Sequence, residues 1–410
     1  MGRMKEWMAR EMAQGFDSRD TRVCKDCVDD GALRSFIRRE GESGYKCSYC
    51  KHKASKVTIS FNDFTRHVLT AIETEWGDAN NEGVPYDEGE YAGRTYDSYD
   101  LLHGELDIGF KEDSLRDDLV SSLGDHVWCR RNFFELEPNH ALSAGWREFS
   151  NVVKHESRYV FLRRADTRKW RGSEEIAPAD FLDAFSSVVS DCGLYTTLES
   201  GTEICRLRVH DPKENFAKAV ELGAPPANLA RTANRMSAAG ITAFYGAFDR
   251  ETAIAETAIS VAAGSVATLG RFKLLKDLYL VDFTDVPRIP SIFEPNSRAK
   301  RHGLLFLYRF LDDFTSPILK DGREHIEYVP TQVIAEYLRF VHRGKKQQPI
   351  DGILYNSARN EGAQACVLFL GPDGSCDPGE ENDAAALVLH SVEAIELTVK
   401  KKAPKKAARK

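Results

Sequence analysis

Four cysteines, standing as two pairs, form the most compact chemical pattern in the chain. Cys24-Lys25-Asp26-Cys27 and Cys47-Ser48-Tyr49-Cys50 each set two residues between two thiols, and nineteen residues separate the pairs. The two-residue spacing lets both thiols of a pair reach one ion, and a second pair completes a tetrahedral sulfur set. Soft thiolates suit zinc in a reducing compartment. Four of them leave no open coordination position, so the expected site is structural. Unligated or redox-active thiols are the competing reading, and His52 is an alternative ligand. Cys129, Cys192, Cys205, Cys366 and Cys376 form no comparable pattern.

A second group of polar residues lies in apolar surroundings further along. In "EICRLRVH", Arg206 and Arg208 alternate with Cys205, Leu207 and Val209. On a strand both guanidinium groups would share one face. They could clamp a phosphate or pyrophosphate there, or simply face solvent. "GAPPANLARTANRMSAAG" places Arg231 and Arg235 in a loop rich in Pro and small residues, where ligand residues often sit. Tyr245 follows on a short apolar run, either as a core ring with its hydroxyl satisfied or as a ring offered to a ligand. Glu256 stands in "AIAETAISVAA" with no other charge close by. It is either an exposed stripe on a helix or a carboxylate beside a cleft, and its small neighbours leave room for a ligand. Ser357 and Arg359 end the run "GILYNSAR"; the serine is a turn residue or a hydrogen-bond donor to a carboxylate or substrate.

The elements that must hold these groups change character near Gly193. Before it the chain reads as mainly helical. In "SFNDFTRHVLTAIETEWGDA", Phe61, Phe64, Val68, Ile72 and Trp76 recur at three and four residues and make one apolar face, with Ser60 and Asn62 as capping candidates. "LRDDLVSSLGDHVWC", "ALSAGWREFSNVVKHE" and "IAPADFLDAFSSVVSDCG" read as further helices. "GDANNEGVPYDEGEYAGRTYDSYDLL" reads as an acidic loop anchored by tyrosine rings. After Gly193, short β-prone runs ("EICRLRVH", "ITAFYGAF", "RFKLLKDLYLVDFTD", "GILYN", "ACVLFLG") alternate with helical pieces such as "RETAIAETAISVAAG", with Asp249 as its cap, and "TQVIAEYLRFVHR". The fold class is α+β. Neither a G-x-G-x-x-G nor a G-x-x-x-x-G-K-[ST] run is present, which removes the two commonest nucleotide fingerprints.

With 42% hydrophobic and 29% charged residues the chain is globular in composition, and its net charge of −7 argues against a broad nucleic-acid surface. No apolar run approaches the length of a membrane span, and the first sixteen residues lack the apolar core of a signal peptide. A cytoplasmic location is therefore expected. The terminal "TVKKKAPKKAARK" holds seven Lys or Arg residues. It reads as a disordered solvated tail, with weak contact to nucleic acid as its sharper alternative.

From about Ile204 to Leu370 the chain resembles the RES domain, a family named for Arg, Glu and Ser. The resemblance rests on "CRLR", "GAPPANLARTANRMSAAGITAFYGAFDRETAIAE", "EYVPTQVIAEYLR" and "GILYNSARNEGAQACVLF". It implies an ADP-ribosyltransferase-like fold in the C-terminal domain and a toxin that consumes NAD+, neutralised by an antitoxin protein. Matched residue by residue, Arg206, Glu256 and Ser357 take the three namesake positions, with Arg208 as the alternative first arginine. Arg235 matches the loop arginine and Tyr245 the tyrosine before the Glu-bearing helix. Met236 and Ser237 stand where the family commonly has an aromatic residue and Asn. The expected catalytic set is Glu256, Tyr245, Arg206 and Ser357, and the expected NAD+ contacts are Arg206, Arg208, Arg235 and Tyr245. Arginine-directed transferases commonly carry a second acid two residues before the catalytic Glu; Ile254 occupies that place, which favours water or phosphate as acceptor over a protein.

The N-terminal part resembles the cysteine-bearing, HEPN-like domain found ahead of some RES domains. Arg94 and His103, like Arg131 and His140, are spaced too widely for the HEPN ribonuclease motif. The expected division is a four-cysteine zinc-knuckle region over 1–58, a helical HEPN-like domain over 59–192, a RES domain over 193–395 and a basic tail over 396–410. A homo-oligomer is left open, and so is a catalytically inactive binding module.

Overall fold

A computed structural model describes residues 14–50, 56–161, 176–257, 266–316 and 322–395. His52, the basic tail and the part of "RETAIAETAISVAAG" beyond Thr257 lie outside the described residues. The chain divides into two compact units. The first comprises residues 1–137 and 289–302, and the second residues 138–288 and 303–410.

In the first unit, β1 (Arg22–Cys24), β2 (Glu42–Tyr45) and β3 (Lys56–Ser60) form an antiparallel sheet in the order β1-β3-β2. Helix α1 (Gly31–Glu40) starts where the Asp30 carboxylate accepts the Ala32 and Leu33 amides. Helix α2 (Phe61–Ile72) starts at Ser60, whose hydroxyl accepts the Asp63 amide. Asn62, the other capping candidate, instead accepts the Arg19 amide. The apolar face read from sequence is real: Phe61, Phe64, Val68, Ile72 and Trp76 are all fully buried. The helix nevertheless stops at Ile72. Trp76 lies on β4 (Trp76–Asp78), which pairs with β7 (Trp128–Arg130) beyond the short ribbon β5 (Tyr86–Asp87) and β6 (Glu90–Tyr91). Helix α3 (Asp113–Leu123) likewise ends at Gly124, at φ 72, so "DHVWC" turns into strand where helix was expected. Ile292 and Phe293, from the returning segment 289–302, are buried in this same core.

The second unit contains helices α4 (Pro138–Asn151) and α5 (Pro178–Cys192), the latter ended by Gly193 in the left-handed region at φ 72. The strands that follow are β8 (Tyr195–Leu198), β9 (Glu203–His210), β10 (Phe244–Ala247), β11 (Val266–Leu274), β12 (Leu278–Asp282), β13 (Gly352–Asn356), β14 (Gln364–Leu368), β15 (Ser375–Cys376) and β16 (Leu387–Ile395). They make one sheet in the order β15-β16-β11-β9-β10-β14-β13-β12-β8, parallel only at β12/β13 and β15/β16. Helices α6 (Ala219–Leu222), α7 (Arg250–Thr257), α8 (Arg301–Thr315), α9 (Glu324–Glu327) and α10 (Val329–Phe340) lie between the strands in sequence. Alternation sorts the two sheet faces. Ile204, Phe244, Phe272, Leu354 and Leu389 fill one core, while Cys205, Leu207, Ala247, Ala267 and Ala365 fill another together with Ala253 of α7. The architecture is α+β, as the sequence implies.

The sheet is not evenly knit. β9 runs beside β11 from Glu203/Lys273 to His210/Val266, but meets β10 only at Cys205/Ala247. β10 continues instead beside β14, from Ala247/Ala365 to Phe244/Leu368. The two strands therefore diverge next to Arg206 and Tyr245. That parting gives the large side chains of both strands a place between them.

Candidate active site

Arg206 occupies the parting. It is only 8% exposed. Its Nη1 donates to the Tyr245 carbonyl at 2.6 Å, and its guanidinium lies 4.9 Å from the centre of the Phe244 ring. Nε has no hydrogen-bond partner, and no carboxylate pairs with the group among the described residues. Burial pushes its pKa well below the usual arginine range, and the Arg208 charge adds to the effect. The solvent-facing reading of the arginine pair fails for Arg206. Arg208 is drawn elsewhere, donating through Nη2 to the Gly223 carbonyl at 2.8 Å.

Tyr245 meets the first of its two sequence readings. Its hydroxyl is satisfied, accepting the Met236 amide at 3.2 Å and sharing a hydrogen bond with Ser237 Oγ at 3.0 Å. Burial pushes its pKa up to about 12. Ser237, which departs from the family pattern, is thus the side chain that holds this tyrosine. The loop carrying Met236 and Ser237 is in turn held from α10. Gln332 Nε2 donates to the Asn234 carbonyl at 2.7 Å and the Ser237 carbonyl at 3.3 Å, and Thr331 Oγ1 donates to the Arg235 carbonyl at 2.5 Å. Arg235 itself spends Nη1 and Nη2 on the Phe314 and Ser316 carbonyls, at 2.5 and 2.6 Å. These are end groups of α8, and a cation there complements the helix dipole.

Glu256, near the C-terminal end of α7, is exposed. One of its oxygens is fixed: Ser357 Oγ donates to Oε1 at 2.5 Å. Ser357 is buried, and its Oγ also accepts the Arg359 and Asn360 amides, each at 3.1 Å. Two backbone donors therefore orient the hydroxyl so that its own proton points to the carboxylate. The start of α7 is tied to the same loop. Asp249 accepts the Thr252 amide and hydroxyl, each at 2.7 Å, and Asn360 Nδ2 donates to Thr252 Oγ1 at 2.7 Å. Asp249 thus caps the helix as expected.

The structure joins Glu256 with Ser357 side chain to side chain, and Arg206 with Tyr245 through the tyrosine's main-chain carbonyl. Tyr355 lies between them, close enough to feel the charges of both Glu256 and Tyr245. Sequence reading passed over Tyr355, Thr331, Gln332, Thr252 and Asn360 as functional residues. For Tyr355 a signal existed: it lies two places before Ser357, near the end of the strand that leads into it.

The four cysteines also converge. The Cys24–Cys27, Cys24–Cys50 and Cys27–Cys47 sulfurs are 3.6, 3.7 and 3.5 Å apart, and all four lie within 4.8 Å of one another. Sulfurs at tetrahedral corners about 2.3 Å from zinc stand about 3.8 Å apart, so the set fits that ion. The remaining five cysteines are buried and form no disulfide among the described residues. Among the described residues no helix is long and apolar enough to cross a membrane.

A family model described as HEPN/RES N-terminal domain 1 matches residues 40–167, and one described as RES domain matches residues 206–386. No curated protein and no solved structure matches the chain. The RES match begins at Arg206 and spans Tyr245, Glu256 and Ser357. It fits an ADP-ribosyltransferase-like fold and, at family level, an NAD-related function of the toxin–antitoxin type. From the divided sheet, the serine-held carboxylate and these two matches together, the chain belongs to the RES family and carries a HEPN/RES N-terminal domain 1 ahead of its RES domain.

Proposed function

We propose that the RES domain cleaves the bond between nicotinamide and ribose in NAD+. The observation that carries this reading is the exposed Glu256 carboxylate fixed by the buried Ser357 hydroxyl. When the glycosidic bond breaks, its electron pair returns to the ring nitrogen and nicotinamide leaves as a neutral molecule. No acid is needed for that departure. The obstacle is positive charge gathering on the ribose, and a fixed carboxylate beside the sugar stabilises it. Water then forms the new bond to the anomeric carbon and loses a proton, giving ADP-ribose; phosphate can take the same place. Arg206, buried without a carboxylate, suits the pyrophosphate, since an unpaired guanidinium in such a place costs on the order of several kcal/mol until an anion joins it. The Tyr245 ring would lie against the cationic pyridinium. Arg235 would add charge at the pocket, and Arg208 serves the fold through Gly223.

Ile254 packs among the apolar residues of the second sheet core. Hence no second carboxylate stands two places before Glu256, and small acceptors are favoured over an arginine side chain. Consumption of NAD+ by this route makes the protein a toxin, held in check by an antitoxin. The four-cysteine set holds a structural zinc ion and takes no part in the chemistry.

The test is to incubate the purified protein with NAD+ and measure free nicotinamide. Glu256→Ala should lower turnover by about 10²–10³-fold, with an unchanged melting temperature. Near-normal turnover in that variant would sink the assignment. ADP-ribose recovered on a protein in place of free ADP-ribose would move the reaction to group transfer.

A further inference from the structure

Tyr355 lies at the join between the two halves of the site, and its ring packs while its hydroxyl bonds no described residue. It is the fourth residue of β13 and pairs across to Ala365 of β14, which pairs in turn with Ala247 of β10. Paired residues share a face and alternate residues return to it. Tyr355, Ala365, Ala247 and Tyr245 therefore project from the same side of the sheet, the side against which α7 and Glu256 are set. The small, buried side chains of Ala365 and Ala247 lie between the two tyrosines in the sheet register.

The ring of Tyr355 packs at the edge of the core containing Ala247, Ala253 and Ala365. Its hydroxyl hydrogen-bonds to no described residue, whereas that of Tyr245 is fully engaged. Tyr355 is half-buried, so its hydroxyl remains free to bond a ligand. The surrounding charges define the chemistry it offers. Burial first, then the Glu256 charge and the neighbouring Tyr245 and Cys366, hold its pKa well above the ordinary tyrosine value, with Arg235 opposing weakly. At any physiological pH the group is a neutral hydrogen-bond donor beside a carboxylate.

We propose that Tyr355 is a substrate-binding residue whose hydroxyl donates a hydrogen bond to a ribose hydroxyl oxygen of the nicotinamide-bearing half of NAD+. This rests on the NAD+ reading given above. Glu256 already receives the proton of Ser357, and the sugar beside it must present hydroxyl oxygens to the same wall. A phenol two residues before Ser357, on the sheet face that carries Tyr245, is the donor those oxygens would meet. The contact would select a hydroxylated sugar, because a site built to bond a hydroxyl rejects a ligand lacking it.

The experiment compares wild type and Tyr355→Phe, with and without Glu256→Gln to arrest turnover. The ligands are NAD+ and its two analogues lacking a single hydroxyl of that ribose. Phenylalanine fills the same space, so the melting temperature without ligand should stay put. Tyr355→Phe should weaken NAD+ binding about 5- to 10-fold, and one deoxy analogue should bind the two proteins equally. If Tyr355→Phe binds and turns over NAD+ as wild type does, the assignment is overturned while the NAD+ reading stands. If the loss is the same for NAD+ and both analogues, the hydroxyl acts elsewhere than at a ribose oxygen and the assignment also falls. If wild type neither binds nor cleaves NAD+, the functional reading fails and takes this inference with it.

Discussion

Ser357 has no charge and a side chain of two heavy atoms, yet it receives two backbone amides and gives its own proton to Glu256. A hydrogen bond to a charged group contributes about 1.5–3 kcal/mol. Ser357→Ala should therefore lower kcat for nicotinamide release by about 10- to 100-fold while leaving KM close to wild type, because the carboxylate remains present but loses its orientation. Ser357→Thr keeps the hydroxyl and should recover most of the activity. Steady-state kinetics on the three proteins decide the matter; a loss confined to KM would show that the serine touches substrate without positioning Glu256. At this scale the sequence was legible where residue type alone implies chemistry. Glu256 stood out as an isolated charge, and Ser357 was recognised by its surroundings. Tyr355 escaped because a tyrosine on a strand reads as packing, and only its place on the sheet face shared with Tyr245 distinguishes it.

Strands and helices set how far these side chains can reach. The run "VPTQ" opens α10, and its Thr331 and Gln332 use their side chains to hold backbone carbonyls of the loop that carries Arg235 and Ser237. That loop then supplies both partners of the Tyr245 hydroxyl. Gln332→Ala removes one donor each from the Asn234 and Ser237 carbonyls, which keep only each other's amides, at about 1–3 kcal/mol in all. It should lower the melting temperature and weaken NAD+ binding together, as followed by calorimetry and ligand titration. Unchanged affinity would show that the loop keeps its shape without α10. Periodicity located most of the helices, because one buried face repeats at three and four residues. It overran at Ile72 and Leu123, where Trp76 and Trp128 are apolar enough to prolong the pattern but belong to the paired strands β4 and β7. The divergence of β9 from β10 was invisible from sequence, since alternation within "CRLRV" is the same whether or not a neighbouring strand follows it.

For the whole molecule, the cysteine spacing was the clearest long-range signal, because metal geometry limits which thiols can meet. The boundary between units was less legible. Helices α4 and α5 look like the helical region before them, yet both belong to the compact unit of the sheet. If the four-cysteine set holds zinc, metal binding and folding of the first unit are coupled. Stripping the full-length protein with a strong chelator should then lower the melting temperature of the first unit, with zinc restoring it, and the purified chain should carry one zinc ion. Cys27→Ser should behave like the stripped protein. A protein without metal that melts at the same temperature would refute the zinc assignment. The returning segment 289–302 has a further consequence, in the order of events during synthesis. Ile292 and Phe293 complete a core whose other members end before Glu137. At about 5–20 residues per second, the ribosome reaches them roughly 8–30 s after that point. The first unit must wait, part-built, for a piece made with its neighbour. When that piece is made, Glu256 has already been synthesised, but Tyr355 and Ser357 have not. Translation thus supplies the last pieces of the first core before those of the candidate site.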